Sequence, residues 1–150
     1  MTALTVRHEA NDRFRISIRG HEVVVDQPAP ASGDDGPTPT ELFVASLAAC
    51  AGFYARRFLA RHGLRDGDLA ISCEYGWTED HSRVDSIALR VELPAGIPEG
   101  LEAPLLRVIE HCTVHESIRE IPVLTCVIVA RIGRHSRSRW PRAVAWSSGP

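Results

Sequence analysis

The sequence predicts an α+β fold: one domain of antiparallel strands arranged around a long helix. Three observations carry this expectation. Segments with alternating apolar residues lie on both sides of a segment that is apolar or small on every face. That central segment carries both a start and a stop signal for a helix. The links between neighbouring strand segments are short and polar, as hairpins require.

Leu4 to Glu9 and Arg13 to Arg19 read as strands. In the second, Phe14, Ile16 and Ile18 alternate with Arg13, Arg15, Ser17 and Arg19, which predicts one covered and one polar face. Gly20 marks a turn into a third strand at Val23 to Val25, and Gln27 to Pro37 reads as a loop rich in Pro, Gly, Ala and Asp. Thr38-Pro39-Thr40-Glu41 then has the form of a helix start, with Thr as cap, Pro first and Glu third. The helix is expected to stop at Gly63 after about 24 residues, roughly 36 Å. Its first half should be buried on all sides, more than a chain of 150 residues can easily surround, so a dimer is expected. Leu69 to Thr78 and Val84 to Leu93 form the next hairpin, with Leu69, Ile71, Cys73, Tyr75 and Trp77 on one face of its first strand. A second helix runs from the Glu99–Pro104 region to Cys112, with Leu105, Leu106, Ile109 and Cys112 on one side. Thr113 to Glu120 adds a short helical turn, and Val123 to Ile132 a last strand. The expected domain is therefore 1–132, followed by a basic, mobile tail at 133–150.

A net charge of −2 points to neither nucleic acid nor a membrane surface as partner, and the arginines of the tail are expected to be solvated. All 17 basic residues are arginine, a composition bias from which no function is drawn. The N-terminus lacks the apolar core of a signal peptide and no unbroken run of 18 apolar residues occurs, so a cytoplasmic protein without a membrane span is expected. In that compartment disulfides are more often transient and catalytic than structural. The four cysteines, Cys50, Cys73, Cys112 and Cys126, form no C-x-x-C pair.

Cys50 sits mid-helix among Leu47, Ala48, Ala49, Ala51 and Gly52. It is either a buried small hydrophobe or, given a cationic neighbour, a reactive thiolate with room around it. Cys112, at the end of the second helix, is either core or a thiol well placed to move. With His115 it also resembles half of a zinc site, although no second pair is spaced to complete one. Cys73 and Cys126 read as strand residues packed in the core. Glu41 closes a capping box. It lies nine residues before Cys50, about 13 Å of rise and half a turn away, so on a regular helix it can touch a cysteine only across a subunit interface. Thr40 is closer in angle and equally distant along the axis. Arg13, Arg15 and Arg19 are either solvated or a source of the cation a thiolate needs, and His111 and His115 flank Cys112 as local acid–base groups or plain surface residues.

Gly36-Pro37-Thr38-Pro39-Thr40-Glu41-Leu42 followed by Leu47-Ala48-Ala49-Cys50 resembles the central-helix signature of the OsmC/Ohr proteins, those similar to osmotically inducible protein C and to organic hydroperoxide resistance proteins. His111-Cys112-Thr113-Val114-His115-Glu116-Ser117 resembles the second cysteine motif of that family, and the 62-residue separation of the two cysteines fits as well. The resemblance spans roughly residues 4 to 132. It implies antiparallel sheets around the long central helix in an intertwined homodimer, with active sites at the subunit interface. It further implies a two-cysteine peroxidase. Cys50 would attack a hydroperoxide and become a sulfenic acid, and Cys112 would resolve it as a disulfide. A small dithiol or a lipoylated protein would then restore both thiols. No metal or flavin cofactor is implied, because sulfur supplies both electrons. In members of the hydroperoxide-resistance type an early-strand Arg pairs with a Glu at the start of the central helix. Arg13, then Arg15, best matches the Arg. The Glu of that type falls where this chain has Thr40, whereas Glu41 resembles another branch. The alternative function is a non-catalytic dimer of the same fold that binds a small ligand or senses redox state.

Overall fold

A computed structural model describes residues 3–93, 97–120, 122, 124 and 126. Strands β1 (Leu4–Ala10), β2 (Arg13–Ile18) and β3 (His21–Val25) form an antiparallel meander. Helix α1 (Pro39–Arg61) follows, then an antiparallel hairpin of β4 (Ala70–Trp77) and β5 (Val84–Glu92), and finally α2 (Glu102–Glu110) and α3 (Thr113–Arg119). The α+β order matches the expectation, with boundaries shifted by one to three residues. Thr113 to Glu120, expected as a single turn, contains a seven-residue helix. The strand expected at Val123–Ile132 and the tail at 133–150 lie outside the described residues, apart from Leu124 and Cys126.

The start of α1 is fixed twice over. The Thr38 hydroxyl accepts the Glu41 backbone N–H at 3.2 Å, and the Glu41 carboxylate accepts the Thr38 N–H at 2.7 Å, a complete capping box with Pro39 as first residue. The preceding loop is organised by one carboxylate. Asp26, buried at the end of β3, accepts backbone N–H groups from Gln27 at 2.8 Å and Asp35 at 3.1 Å, and its own N–H reaches the Pro37 carbonyl at 3.2 Å. Gly36 lies so close to β3 that a side chain there would collide with the Val24 carbonyl. Together these contacts turn the chain back on itself and deliver Thr38 to the helix start.

The core lies where α1 meets the β4–β5 hairpin and α2. Ala51, Ala55 and Phe58 of α1 pack with Leu105 and Ile109 of α2, and Leu89 and Val91 of β5 close the cluster. The small residues set the spacing. A Cβ at Gly52 would press on Ile71 of β4 at 3.2 Å, so glycine lets helix and strand approach closely. Leu105 and Ile109 are buried, as expected for one face of α2, whereas Leu106 points outward at 55% exposure because one helical step of about 100° carries it off that face.

Two apolar surfaces remain partly uncovered in the single chain. Within the single chain the first half of α1 is buried on one side only: Val44, Leu47 and Ala51 are buried, while Phe43, Ala49 and Phe53 are exposed. The meander likewise has an apolar face that is only partly covered, with Val25 buried and Ile16, Ile18 and Val23 half-buried. Its register places Leu4 and Val6 opposite Ile18 and Ile16, and Phe14 opposite Val25, on one side. Leu4 and Val6 are more than half exposed, and Phe14 is also open rather than covered as the alternation predicts. The physical reason is that α1 packs chiefly on β4 and α2, leaving the meander as a single layer. By length and composition α1 is also apolar enough to cross a membrane. Its packing against α2 and β4, and Arg56, Arg57 and Arg61 in its last turns, mark it as the core helix of a folded domain.

Two stability predictions follow from this geometry. Thr38→Ala removes the cap hydroxyl and should lower unfolding stability by about 1 kcal/mol in a denaturant titration. The Asp26 carboxyl is held below its ordinary 3.8, first by the Ser32 hydroxyl and then by the Asp35 N–H, with burial opposing. A depressed folded pKa stabilises at pH above the unfolded value and is lost as pH falls through the depressed one. Asp26→Asn should therefore lower the melting temperature at neutral pH, with the gap to wild type closing as pH falls below 3.8. A gap of equal size at about pH 2.5 would show that the charge does not organise the loop.

Candidate active site

Cys50 lies halfway along α1, on the border between its buried face and its open face. Position 112 is reached by a break in the helical path. Helix α2 ends at Glu110, His111 follows, and Cys112 takes an extended conformation (φ −70°, ψ 150°) before α3 begins. That conformation makes Cys112 the N-cap of α3, and its sulfur accepts the His115 backbone N–H at 3.4 Å. The same rotation aims the sulfur at α1.

Both cysteines are free thiols, and they stand side by side, close enough that Cys50 alters the ionisation of Cys112. Their exposures differ: Cys112 is fully buried at 0%, Cys50 only partly. Burial pushes the Cys112 thiol above its ordinary 9.0, the N–H groups of His115 and Val114 oppose that push, and the neighbouring Cys50 adds to it. At neutral pH Cys112 is thus a protonated thiol in a sealed position, beside a sulfur that solvent-borne molecules can approach.

One turn further along α1, the Tyr54 hydroxyl lies 3.2 Å from the Thr113 hydroxyl. Cys50 and Tyr54, spaced i and i+4 on one helix, therefore meet Cys112 and Thr113, consecutive at the start of another. Sequence reasoning missed Tyr54 and Thr113. The available signal was the four-residue spacing of Tyr54 from Cys50, which places the two on the same face.

The remaining candidates lie elsewhere in the chain. Arg13 binds Glu9 at 2.9 Å and Asp35 at 2.7 Å, and Arg15 binds Glu9 and, at 3.1 Å, Glu22. Neither bonds to Cys50. The Arg15–Glu9 pair holds the Glu9 carboxyl below and the Arg15 guanidinium above their ordinary values. Glu41 is engaged at the cap of α1 rather than near either cysteine. His111 directs Nδ1 to the Arg107 carbonyl at 2.7 Å, while His115 meets Cys112 through its backbone. Among the described residues no three His, Cys, Asp or Glu side chains converge as a metal site would need. Cys73 is half-buried, and burial, then the charge of Glu74, raises its thiol. Cys126 is exposed, contrary to the expected core position.

The chain matches the family model of the OsmC-like proteins over residues 32–126, well over half its length. Solved structures of similar fold include a candidate osmotic stress induced and detoxification response protein from Psychrobacter arcticus. It is 17% identical, with a TM-score of 0.72, over 78% of this chain and 88% of the other. The organic hydroperoxide resistance protein OsmC of Legionella pneumophila aligns with a TM-score of 0.59 at 18% identity, over 79% and 89% of the two chains. The organic hydroperoxide resistance protein OhrB of Bacillus subtilis aligns with a TM-score of 0.58 at 19% identity, over 81% and 92%. No curated protein matches the chain. The match that spans residues 32–126 includes α1 with Cys50 and the α2–α3 junction with Cys112, and the chain belongs to the OsmC-like protein family.

Proposed function

We propose that this chain is a thiol-dependent peroxidase that reduces hydroperoxides, organic ones foremost, through a Cys50 sulfenic acid and a Cys50–Cys112 disulfide. One observation carries the proposal: two free thiols, 62 residues apart in sequence, stand together, one accessible and the other sealed. The names of the Legionella and Bacillus relatives point the same way. The Cys50 thiolate attacks one peroxide oxygen, the O–O bond breaks, and the alkoxide takes a proton and leaves as alcohol. The Cys112 thiol then attacks the sulfenic sulfur; water departs and the S–S bond forms. A dithiol, free or carried on a lipoylated protein, reduces that bond by exchange and is itself oxidised. The burial that keeps Cys112 protonated also keeps the first oxidation off it.

The proposed active form is an intertwined homodimer. The exposed apolar residues of α1, Phe43 and Phe53, and of the β1–β3 meander, Leu4, Val6 and Phe14, are the support for it, since both sets sit on one chain and a second copy can cover them. Phe43 and Phe53 flank Cys50 along the open face of α1, so a partner there would enclose Cys50 in apolar surroundings. The cation for the thiolate is proposed to be Arg13, with Arg15 second, and Glu41 to act across the interface. Two reactive reduced thiols suit the cytoplasm, the proposed location.

A non-catalytic role as a ligand-binding or redox-sensing dimer is the second proposal. The engagement of Arg13, Arg15 and Glu41 in their own ion pairs and cap favours it. Thiol titration separates the two: a Cys50 pKa well below 7 supports catalysis, and one near or above 8.5 with negligible turnover supports the non-catalytic role.

Cys50→Ser should abolish consumption of cumene hydroperoxide with dihydrolipoamide as donor; equal slow rates for variant and wild type would refute the peroxidase. Cys112→Ser should still consume one equivalent of peroxide and then stall without a disulfide. Tyr54→Phe removes one hydroxyl link, worth about 1 kcal/mol. It should slow disulfide closure several-fold in a stopped-flow trace while leaving sulfenic acid formation unchanged. Sedimentation should give twice the 16.5 kDa chain mass, and Phe53→Asp should return the monomer.

A further inference from the structure

Beyond the cysteine pair, α1 and α2 enclose a groove of about 260 Å³ lined by Tyr54, Arg57, Phe58, Arg61, Val108 and His111. Its floor and its rim differ in kind. Phe58 is buried and belongs to the core, Val108 packs against that core, and the Tyr54 ring continues the apolar surface. Around this floor stand Arg57 and Arg61, one turn apart on the same face of α1, and His111 at the end of α2. No lining residue is acidic. Arg56, which points elsewhere, is neutralised by Asp66 at 3.1 Å, whereas Arg57 and Arg61 bind no carboxylate among the described residues. The Arg57 guanidinium instead lies 5.3 Å from the centre of the Phe53 ring.

We infer that this groove binds a small organic anion: a carboxylate or phosphate group held by Arg57 and Arg61, on a flat apolar body lying over Phe58 and Val108. Two guanidinium forks with no internal acid present a bidentate grip for such a group. Bulk water satisfies exposed arginines in most settings, but here they border a concave apolar floor that a bare ion would leave unfilled. At 260 Å³ the space is below the usual range for drug-sized ligands, which limits the body to about one ring. The groove is separate from the reaction proposed above yet adjoins it. Cys50, Tyr54, Arg57 and Arg61 follow one stripe of α1, so an anion at Arg57 sits about 10 Å along the helix from Cys50. Tyr54, whose hydroxyl meets Thr113, forms the wall between groove and thiols.

The test is calorimetric titration of full-length Cys50→Ser protein, in which no turnover occurs, so the outcome is independent of peroxidase activity. Phenylacetate should bind with a saturable signal, at least about 10-fold tighter than benzyl alcohol, which keeps the ring and lacks the charge, and tighter than inorganic phosphate, which lacks the ring. Phenyl phosphate in a parallel titration tells which acid group the arginines prefer. Arg57→Gln with Arg61→Gln should weaken phenylacetate at least about 10-fold, and Arg56→Gln should leave it unchanged. Benzyl alcohol binding as tightly as phenylacetate, inorganic phosphate matching it, Arg56→Gln weakening it equally, or no saturable signal would each overturn the inference. The ligand comparisons need no groove variant and stand even if the double substitution disturbs folding.

Discussion

The structure depends on a break in the helical path at residues 111 and 112. Continued as one helix, α2 and α3 would direct the Cys112 sulfur around a cylinder; as it is, the Cys112 N–H still reaches the Ile109 carbonyl at 3.1 Å and its carbonyl accepts the Glu116 N–H at 3.0 Å, so only the side-chain direction changes. Instead α2 stops, Cys112 adopts extended geometry, and its side chain takes the work of capping α3. An N-cap position turns a side chain back over the first turn of its helix, where unpaired N–H groups wait. Sulfur is a weak acceptor there, and the 3.4 Å contact with the His115 N–H is correspondingly long. The geometry is therefore better explained by where it aims the sulfur, at α1 and Cys50, than by its capping strength.

Placing two thiols together would do little if they were alike, and burial makes them different. A sealed sulfur loses the water that would solvate its anion, which costs more than two backbone N–H groups return, so Cys112 stays protonated. The accessible sulfur on α1 meets solvent first. Small residues on α1 make this asymmetry possible. Ala51, Ala55 and Gly52 let α2 and β4 approach α1 closely and leave Cys50 at the edge of the covered face. A side chain at 52 would press on Ile71 of β4, so the close approach of α1 and β4 there rests on glycine.

Much of the fold was legible because its signals are local. The Thr38 and Glu41 capping box, Pro39, the alternation in β2 and β4, and the apolar side of α2 each declare themselves within a few residues, and each is found in place. The meeting of Cys50 with Cys112 was not legible from local chemistry. Each cysteine alone read equally well as core, and only the resemblance to a family linked them. Tyr54 and Thr113 escaped because a hydroxyl pair 59 residues apart leaves no local trace. The open face of α1 in the single chain is in line with the sequence reading that one chain of this length cannot surround the helix, since apolarity states that a face will be covered, not by which chain. The same holds for Phe14 on β2, whose covered side by pattern is open in the single chain.

The position of the arginines bears on how the thiolate could be held. Within the meander, Arg13 and Arg15 occupy the side opposite Phe14, Ile16 and Ile18, and Glu9 lies between them. A cation already paired with a carboxylate stabilises a nearby thiolate less than a bare one, because the two charges cancel at a distance. For either arginine to serve Cys50, a partner's meander must approach the open face of α1 and one guanidinium must exchange a carboxylate for sulfur. Arg13 is the better placed for that exchange. Its second partner, Asp35, is exposed and belongs to the loop that Asp26 organises, next to the start of α1. Both partners of Arg15, by contrast, sit within the meander itself. Loop, sheet and helix start are thus one mechanical unit. The depressed Asp26 carboxyl holds the Asp35 backbone N–H, and through it the loop whose Asp35 side chain pairs with Arg13.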